Sequence, residues 1–327
     1  MTIREVTELL ETAGHPSPGT SRACPMCSGS MSQISIPDVK DYVTGETFQV
    51  FRCAVCGLGY TWPQPSELNR YYTPTYRRYS PFAWVLLSAF YHLRVKRWTR
   101  LLGKGSALEI GCGDGRMLQA LRHQGWEVVG VERTAAAARV AVSVNRLPVF
   151  AGGLQAINPR AKFDLVLLFH SLEHVPDPLS VLTQCAQLLK PGGKLIVAVP
   201  NFQSWQARVF GGSWFHLDVP RHLTHFSPQS LRSTLKTTSL RLDSIRYTSW
   251  EHDPYGWVQS TLNRMGFRQN LLTKWLMGVD RASIGTPVGL TMLLMTLVLV
   301  VPSLAVAVGS WLARAGAVME LLATKEE

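Results

Sequence analysis

Residues 107–118 read Ala107-Leu-Glu-Ile-Gly-Cys-Gly-Asp-Gly-Arg-Met-Leu118, and this stretch decides the fold. Leu108 and Ile110 end an apolar strand. Gly111, Gly113 and Gly115 then allow a tight turn with no side chain between backbone and ligand, and a helix follows. A dinucleotide fingerprint would put its third glycine at position 116, where this chain has Arg116. Glu109, just before the first glycine, is placed to meet a ligand amine rather than a pyrophosphate.

The flanking pattern extends the same architecture. Residues 126–132 form a short apolar strand ending on Glu132. That carboxylate lies about 20 residues past the glycines, where a ribose-diol acceptor belongs in a doubly wound sheet. An alanine-rich helix is expected over 134–145, a strand over 163–169, a helix over 179–189 stopped by Pro191-Gly192-Gly193, and a strand over 194–199. Alternating strands and helices predict an α/β fold, a doubly wound parallel sheet with its ligand at the strands' carboxyl ends.

Three blocks stand in order: Glu109-x-Gly111-x-Gly113-x-Gly115, then Phe163-Asp-x-Val with His170-x-Leu-Glu-His174, then Leu189-Lys-Pro-Gly-Gly193. Through them the chain, from Gly105 to about Tyr247, resembles the class I S-adenosylmethionine-dependent methyltransferases. The resemblance implies a Rossmann-like, seven-stranded methyltransferase sheet and S-adenosyl-L-methionine as cofactor, which the glycine turn also fits better than NAD. It places Glu109, Gly111 and Gly113 at the methionine part, with Cys112 and Gly115 in the same turn. Glu132 would take the ribose hydroxyls, with Arg133 beside it, and His170 and Ser171 would face the methyl donor. Many relatives have an acid near the adenine after the short strand at Val149-Phe150; here the chain reads Ala151-Gly-Gly-Leu154. Adenine contacts then fall to the backbone at Gly153 and Leu154.

Cysteine spacing predicts a second unit. Cys24-Pro-Met-Cys27 and Cys53-Ala-Val-Cys56, separated by residues 28–52, match the spacing of a four-thiolate structural Zn2+ ribbon. Gly29 and Gly57 follow the two knuckles, and residues 48–52 alternate as a ribbon strand would. Residues 1–15 carry charges and no apolar core, so no secretory signal is expected and metal is favoured over disulfides. The same branch of methyltransferases often carries such a ribbon in front. Cys185 stands alone and is expected to pack in the core.

Charge and hydropathy point toward a membrane. The chain of 327 residues has a formal net charge of +11, from which zinc-bound thiolates would subtract about four while the metal returns two. Arg70, Arg77, Arg78, Arg94, Lys96, Arg97, Arg100 and Lys104 follow one another with no acid between, around the apolar stretch 82–91. Such a helix suits a membrane surface or a lid on the catalytic domain. Residues 282–313 carry no charge, and 288–308 are almost continuously apolar, enough for one crossing. Pro302 would kink that helix or turn a re-entrant hairpin, so a tilted span and a half-inserted hairpin both stay open. Trp275 and Trp311 flank the run, and Lys274 and Arg281 favour the cytoplasm on their side.

Residues 214–227 concentrate His216, Asp218, Arg221, His222 and His225. Similar His-Leu-Asp-x-Pro-Arg-His-Leu stretches lie at the acceptor site in the resembling methyltransferases. A hydroxyl acceptor must lose its proton, so His222 or His225 is the candidate base, oriented by Asp218, with Arg221 available for an anionic group. A loop that only closes the pocket, and a metal on His216, His222 and His225, are the alternatives.

The expected organisation is an extension over 1–22, a zinc ribbon over 23–61, a basic and aromatic linker or lid over 62–104 and the cofactor-binding domain over 105–250. A connecting helical region over 251–284, a hydrophobic membrane segment over 285–313 and a tail over 314–327 follow. The expected activity is methyl transfer to a small or amphiphilic acceptor, lipid-linked, saccharide or quinone-like, at the cytoplasmic side of a membrane. An RNA methyltransferase using the ribbon and a non-catalytic cofactor-binding scaffold are the rivals. The apolar segment and the lack of a stacking motif on the ribbon argue against nucleic acid.

Overall fold

A computed structural model describes residues 23–31, 33–72, 81–278, 280 and 282–326. The expected extension over 1–22, Arg77, Arg78 and Arg281 lie outside the described residues. The chain forms β1 (Gln33–Lys40), β2 (Thr47–Arg52), β3 (Gly59–Trp62) and α1 (Pro81–Leu102) before the glycine turn. Next come β4 (Ser106–Ile110), α2 (Arg116–His123), β5 (Glu127–Glu132), α3 (Ala135–Ser143), β6 (Val149–Ala151), β7 (Phe163–Phe169), α4 (Pro178–Leu188) and β8 (Leu189–Pro200). The chain continues through α5 (Trp205–Phe210), β9 (Thr224–His225), α6 (Pro228–Leu235) and β10 (Leu240–Arg246). It closes with α7 (Asp253–Arg264), α8 (Leu271–Leu276), α9 (Pro287–Leu312) and β11 (Val318–Lys325).

The expected seven-stranded sheet is present, in the order β10-β11-β8-β7-β4-β5-β6. Neighbouring strands from β8 to β6 are parallel, which requires the crossover helices that alternate with them. Central strands buried on both faces are largely apolar, as in the fully buried Leu165, Val166, Leu167 and Leu168 of β7. Strand β8 begins earlier than predicted. Leu189 pairs with Phe163 and Lys194 with Leu165, so Pro191-Gly192-Gly193 forms an irregularity within the strand rather than a stop before it. Gly192 at φ +74° makes that bend without strain.

The seventh strand comes from the expected tail. Val318–Lys325 inserts antiparallel between β8 and β10, from Val318 opposite Pro200 to Thr324 opposite Lys194. The catalytic sheet is therefore incomplete at residue 250 and closes only after the apolar helix. α9 itself runs without interruption through Pro302, so no hairpin forms there. It packs against α7 along the stripe Gly289, Met292, Ser303, Ala307 and Ser310. Its start meets Leu262 near the end of α7, and near its end Trp311 Nε1 donates to Asp253 at the start of α7.

The basic helix α1 is docked on the catalytic domain. Arg94 pairs with Glu251 and lies 3.2 Å from Glu320, Arg97 pairs with Glu320, and Trp98 Nε1 donates to Glu320 at 3.1 Å. Val95 and Trp98 on its inner face are buried. Arg94 and Arg97 of the basic run thus have acidic partners from elements distant in sequence.

The ribbon has its own sheet in the order β1-β2-β3-β9, whose last strand is lent by the catalytic domain. Gly59 pairs with His225 and Tyr60 with Thr224.

A chain ending at residue 285 should fail to fold rather than yield a released catalytic domain, because β8 and β10 lose the strand between them. Circular dichroism melting should show no cooperative transition; an intact transition would show that β11 is dispensable.

Candidate active site and metal centre

The donor pocket grows from the end of β4. Gly111, Gly113 and Gly115 have φ of +75°, +57° and +82°, a region that favours glycine. A Cβ on Gly115 would lie 2.4 Å from Leu147 Cδ1, so this glycine lets the turn sit against the segment before β6. A Cβ on Gly111 would meet Ser171 Cβ at 2.6 Å, placing the end of β7 against the turn. Gly113 faces open space, which leaves its backbone accessible to a ligand.

Glu132 ends β5 and accepts from Gly113 N–H at 2.8 Å and Thr134 N–H at 2.7 Å. Glu109 is buried, and its Oε2 has no hydrogen-bond partner. Burial first, and then the neighbouring Asp114 and Glu132 charges, push its carboxyl well above the ordinary range. An orphaned buried acid beside an open glycine turn and a diol-binding position fits S-adenosylmethionine, whose amine would complete Glu109. Cys112 packs inward, its Sγ 2.7 Å from a Cβ built on Gly130, whereas Arg133 is exposed. Gly153 and Leu154 follow β6, whose Ala151 pairs with Glu132, so they border the ribose position.

Above β7 and β8 the histidines gather around Glu173. His170, at φ +53°, has Nδ1 at 3.3 Å from Glu173 Oε1. His222 Nε2 is 3.9 Å from the same oxygen and 4.0 Å from Asp218 Oδ2. His222 Nδ1 must donate to the His216 carbonyl at 3.0 Å, which leaves Nε2 as the basic nitrogen. His174 packs edge-on to His222 with ring centres 4.8 Å apart, and His252 lies 4.5 Å from His170. Glu173, His174 and His222 each bring one ligand atom within 4.8 Å of one another, a set able to hold a divalent cation. His216 points instead at α7, where Nε2 would touch a Cβ on Gly256 at 2.8 Å.

Two expected site residues serve the architecture. Arg221 is fully buried, donating to Asp218 at 2.7 Å, Asp41 at 2.8 Å, and the carbonyls of Tyr71 and Val219. Its guanidinium also lies 4.1 Å from the Tyr42 ring centre. These contacts occupy it with ribbon and linker rather than with a substrate anion. His225 is held through Thr61: that hydroxyl donates to the His222 carbonyl at 2.6 Å, so His225 Nε2–H donates to Thr61 Oγ1 at 2.9 Å. Burial lowers its pKa to about 3, keeping the ring neutral.

Glu173 and His252 carried no role in the sequence. Glu173 sits inside the His170-x-Leu-Glu-His174 block, which was its only signal. His252 lies in the region after β10 with no motif around it, and only folding brings it to His170.

The ribbon cysteines are free thiols. Cys24 and Cys56 Sγ lie 3.6 Å apart, Cys27 and Cys53 3.5 Å, and all four fall within 4.8 Å of one another. Tetrahedral zinc thiolates have sulfurs about 3.8 Å apart, from Zn–S bonds of about 2.3 Å. The cluster is therefore compatible with zinc. The knuckles are alike: Ser28 N–H donates to the Cys24 carbonyl and Gly57 N–H to the Cys53 carbonyl. The left-handed turn falls on Ser28 in the first, at φ +56°, and on Gly57 in the second, at φ +72°.

A methyltransferase domain profile matches residues 85–245. A protein of Xanthomonas campestris pv. campestris (strain B100), named ubiquinone biosynthesis O-methyltransferase, is 30% identical over 162 residues, 44% of this chain and 67% of the relative. One of the same name from Xylella fastidiosa (strain 9a5c) is 29% identical over 171 residues, 46% of this chain and 68% of the relative. A solved S-adenosylmethionine-dependent methyltransferase from Archaeoglobus fulgidus is 17% identical with a TM-score of 0.44, covering 75% of this chain and 100% of that one. The fold and donor pocket define an S-adenosylmethionine-dependent methyltransferase. The chain belongs to the class I family of these enzymes.

Two variants test the clamp. Arg221→Met leaves Asp41 and Asp218 without their cation and should lower stability by about 3–5 kcal/mol, read from the denaturant midpoint. A loss below 1 kcal/mol would remove Arg221 from its structural role. For His225, the folded pKa of about 3 lies below the ordinary 6.5. The folded state binds fewer protons between these values, so its stabilisation is full above pH 6.5 and is lost as pH falls toward 3. His225→Gln, which does not titrate, should flatten that part of the stability profile; an unchanged slope would reject the neutral-histidine account.

Proposed function

We propose that this enzyme O-methylates a hydroxyl on a quinone-like ring that it takes from a membrane surface. The observation that carries the chemistry is His222, its Nδ1 committed to a backbone carbonyl and its Nε2 facing Glu173 and Asp218. The name shared by the relatives supports oxygen as the acceptor atom and a quinone-like ring as its bearer. When bound, S-adenosylmethionine supplies a methyl group on a sulfonium, a leaving group good enough that positioning dominates.

Glu109 binds the methionine amine through Oε2, and the backbone at Gly111 and Gly113 lets the donor approach closely. Glu132 holds the ribose hydroxyls, Gly153 and Leu154 border the adenine, and His170 and Ser171 wall the methyl side. His222 Nε2 takes the proton of the acceptor hydroxyl, and the two carboxylates stabilise the imidazolium that results. Cys24, Cys27, Cys53 and Cys56 would hold zinc, which would fix the ribbon, and the ribbon in turn fixes the loop through Thr61 and Asp41. The apolar helix α9 brings this site to the membrane, with the catalytic domain on the cytoplasmic side where a reducing environment preserves the thiolates.

The test uses the full chain, calorimetric titration with S-adenosylhomocysteine, and methyl transfer from labelled S-adenosylmethionine to a hydroxylated quinol with an apolar tail. His222→Ala should reduce kcat by about 10²- to 10⁴-fold while Kd for S-adenosylhomocysteine stays within twofold. Normal turnover by the variant would remove His222 as the base. Intact cofactor binding with no methylation of any such quinol would overturn the acceptor class.

A further inference from the structure

Helix α9 is long and apolar enough to cross a membrane, with a mean hydropathy of 2.4 and only 17% of that window buried. Its attachments forbid the crossing. At its start, Met292 packs with Leu262, Leu271 and Leu272 of the catalytic body. At its end, Trp205 N–H donates to the Ala315 carbonyl at 3.0 Å, Asn201 N–H donates to the Ala317 carbonyl at 2.8 Å, and the chain enters the sheet as β11. A helix spanning the bilayer would carry β11 to the opposite side and empty the position between β8 and β10.

We propose that α9 is an in-plane membrane helix, embedded lengthwise in one leaflet of an anionic bilayer while its small-residue stripe stays on α7. This rests on the membrane reading given above and specifies its geometry. Leu290, Leu294, Leu297, Val298 and Val301 face outward, between 58% and 73% exposed. No charged residue occurs from 282 to 313 to meet the polar rim of a protein interface. Amphipathic anchors mark the helix ends instead. Trp311 packs edge-on against the exposed Trp250 with ring centres 4.6 Å apart, Trp205 lies 3.6 Å from a Cβ built on Gly309, and Arg208 and Arg314 are exposed beside them. The exposed Arg264 and Met265 follow Leu262 at the other end. Tryptophan and arginine around an apolar face suit the interface of a bilayer with anionic headgroups.

The placement also orients the active site. Trp250 sits just before Glu251 and His252, and His252 lies against His170 at the donor pocket. An acceptor dissolved in the leaflet would therefore meet the histidine group beside the helix end without leaving the interface.

The full chain is synthesised cell-free with sealed vesicles of phosphatidylcholine and phosphatidylglycerol at about 7:3, floated on a gradient, and probed with an impermeant maleimide at Gly285→Cys or Ala313→Cys. Flotation is expected, with both engineered thiols reacting from outside before detergent. Reaction of one thiol only after detergent would mean a crossing and overturn the in-plane geometry while leaving membrane attachment intact. No flotation would overturn membrane attachment itself, and with it this inference. Leu297→Glu with Val301→Glu, on side chains each 73% exposed, should reduce the floated fraction at least tenfold without changing S-adenosylhomocysteine affinity. Flotation of that variant equal to the parent would reject the assigned face. A dimer that dissociates in the variant and never floats would assign the face to a second copy of the chain instead.

Discussion

The pairing of β11 with β8 is the constraint on which most of the molecule depends. Its backbone joins the last strand to the centre of the sheet from Val318 to Thr324. Its side chains and amides reach every neighbouring layer. Glu320 anchors α1 through Arg94, Arg97 and Trp98, while Val318 N–H donates to Asp253 at the start of α7. Asp253 is buried, and burial raises its pKa to about 8 although Trp311 and Val318 donate to it. One strand thereby fixes α1, the start of α7 and, through Asp253, the end of the apolar helix α9.

A second constraint ties the ribbon to the chemistry. Small zinc units fold around their metal because they bury little apolar surface of their own. This ribbon, whose four cysteines are compatible with zinc, is also stitched to the catalytic domain by β9, Thr61 and the fully buried Arg221. The buried ion group is costly to desolvate and offers more in positional definition than in stability. It determines where residues 214–227 lie relative to the donor pocket. The ribbon and the loop 214–227 therefore form one mechanical unit, although residues far apart in sequence contribute to it.

The division of labour among the histidines follows from their surroundings rather than their identity. His222 and His225 were equivalent candidates in the sequence. In the fold, one has a basic nitrogen near two carboxylates, and the other donates to a threonine hydroxyl in a buried, neutral state. Low local dielectric makes such differences large, since an unpaired buried charge is far more expensive than a paired one. Arg221 diverges from expectation for the same reason: with Asp41 and Asp218 both within 2.8 Å, structural partners take the donors a substrate would have needed.

The sequence alone determined the glycine turn, Glu109 and Glu132 beside it, and the pairing of the two cysteine knuckles. Those features depend on backbone conformation and spacing over a few residues, and one chain segment contains all that is required. Tertiary structure decided that Val318–Lys325 is a central strand, that α9 returns to the domain it leaves, and that His252 and Glu173 join the site. Such features arise from pairings between segments remote along the chain, whose free energy exists only once the sheet has assembled. An apolar run followed by a short alternating segment reads the same whether the chain crosses a bilayer or turns back. Only the place between β8 and β10, which β11 fills, distinguishes the two.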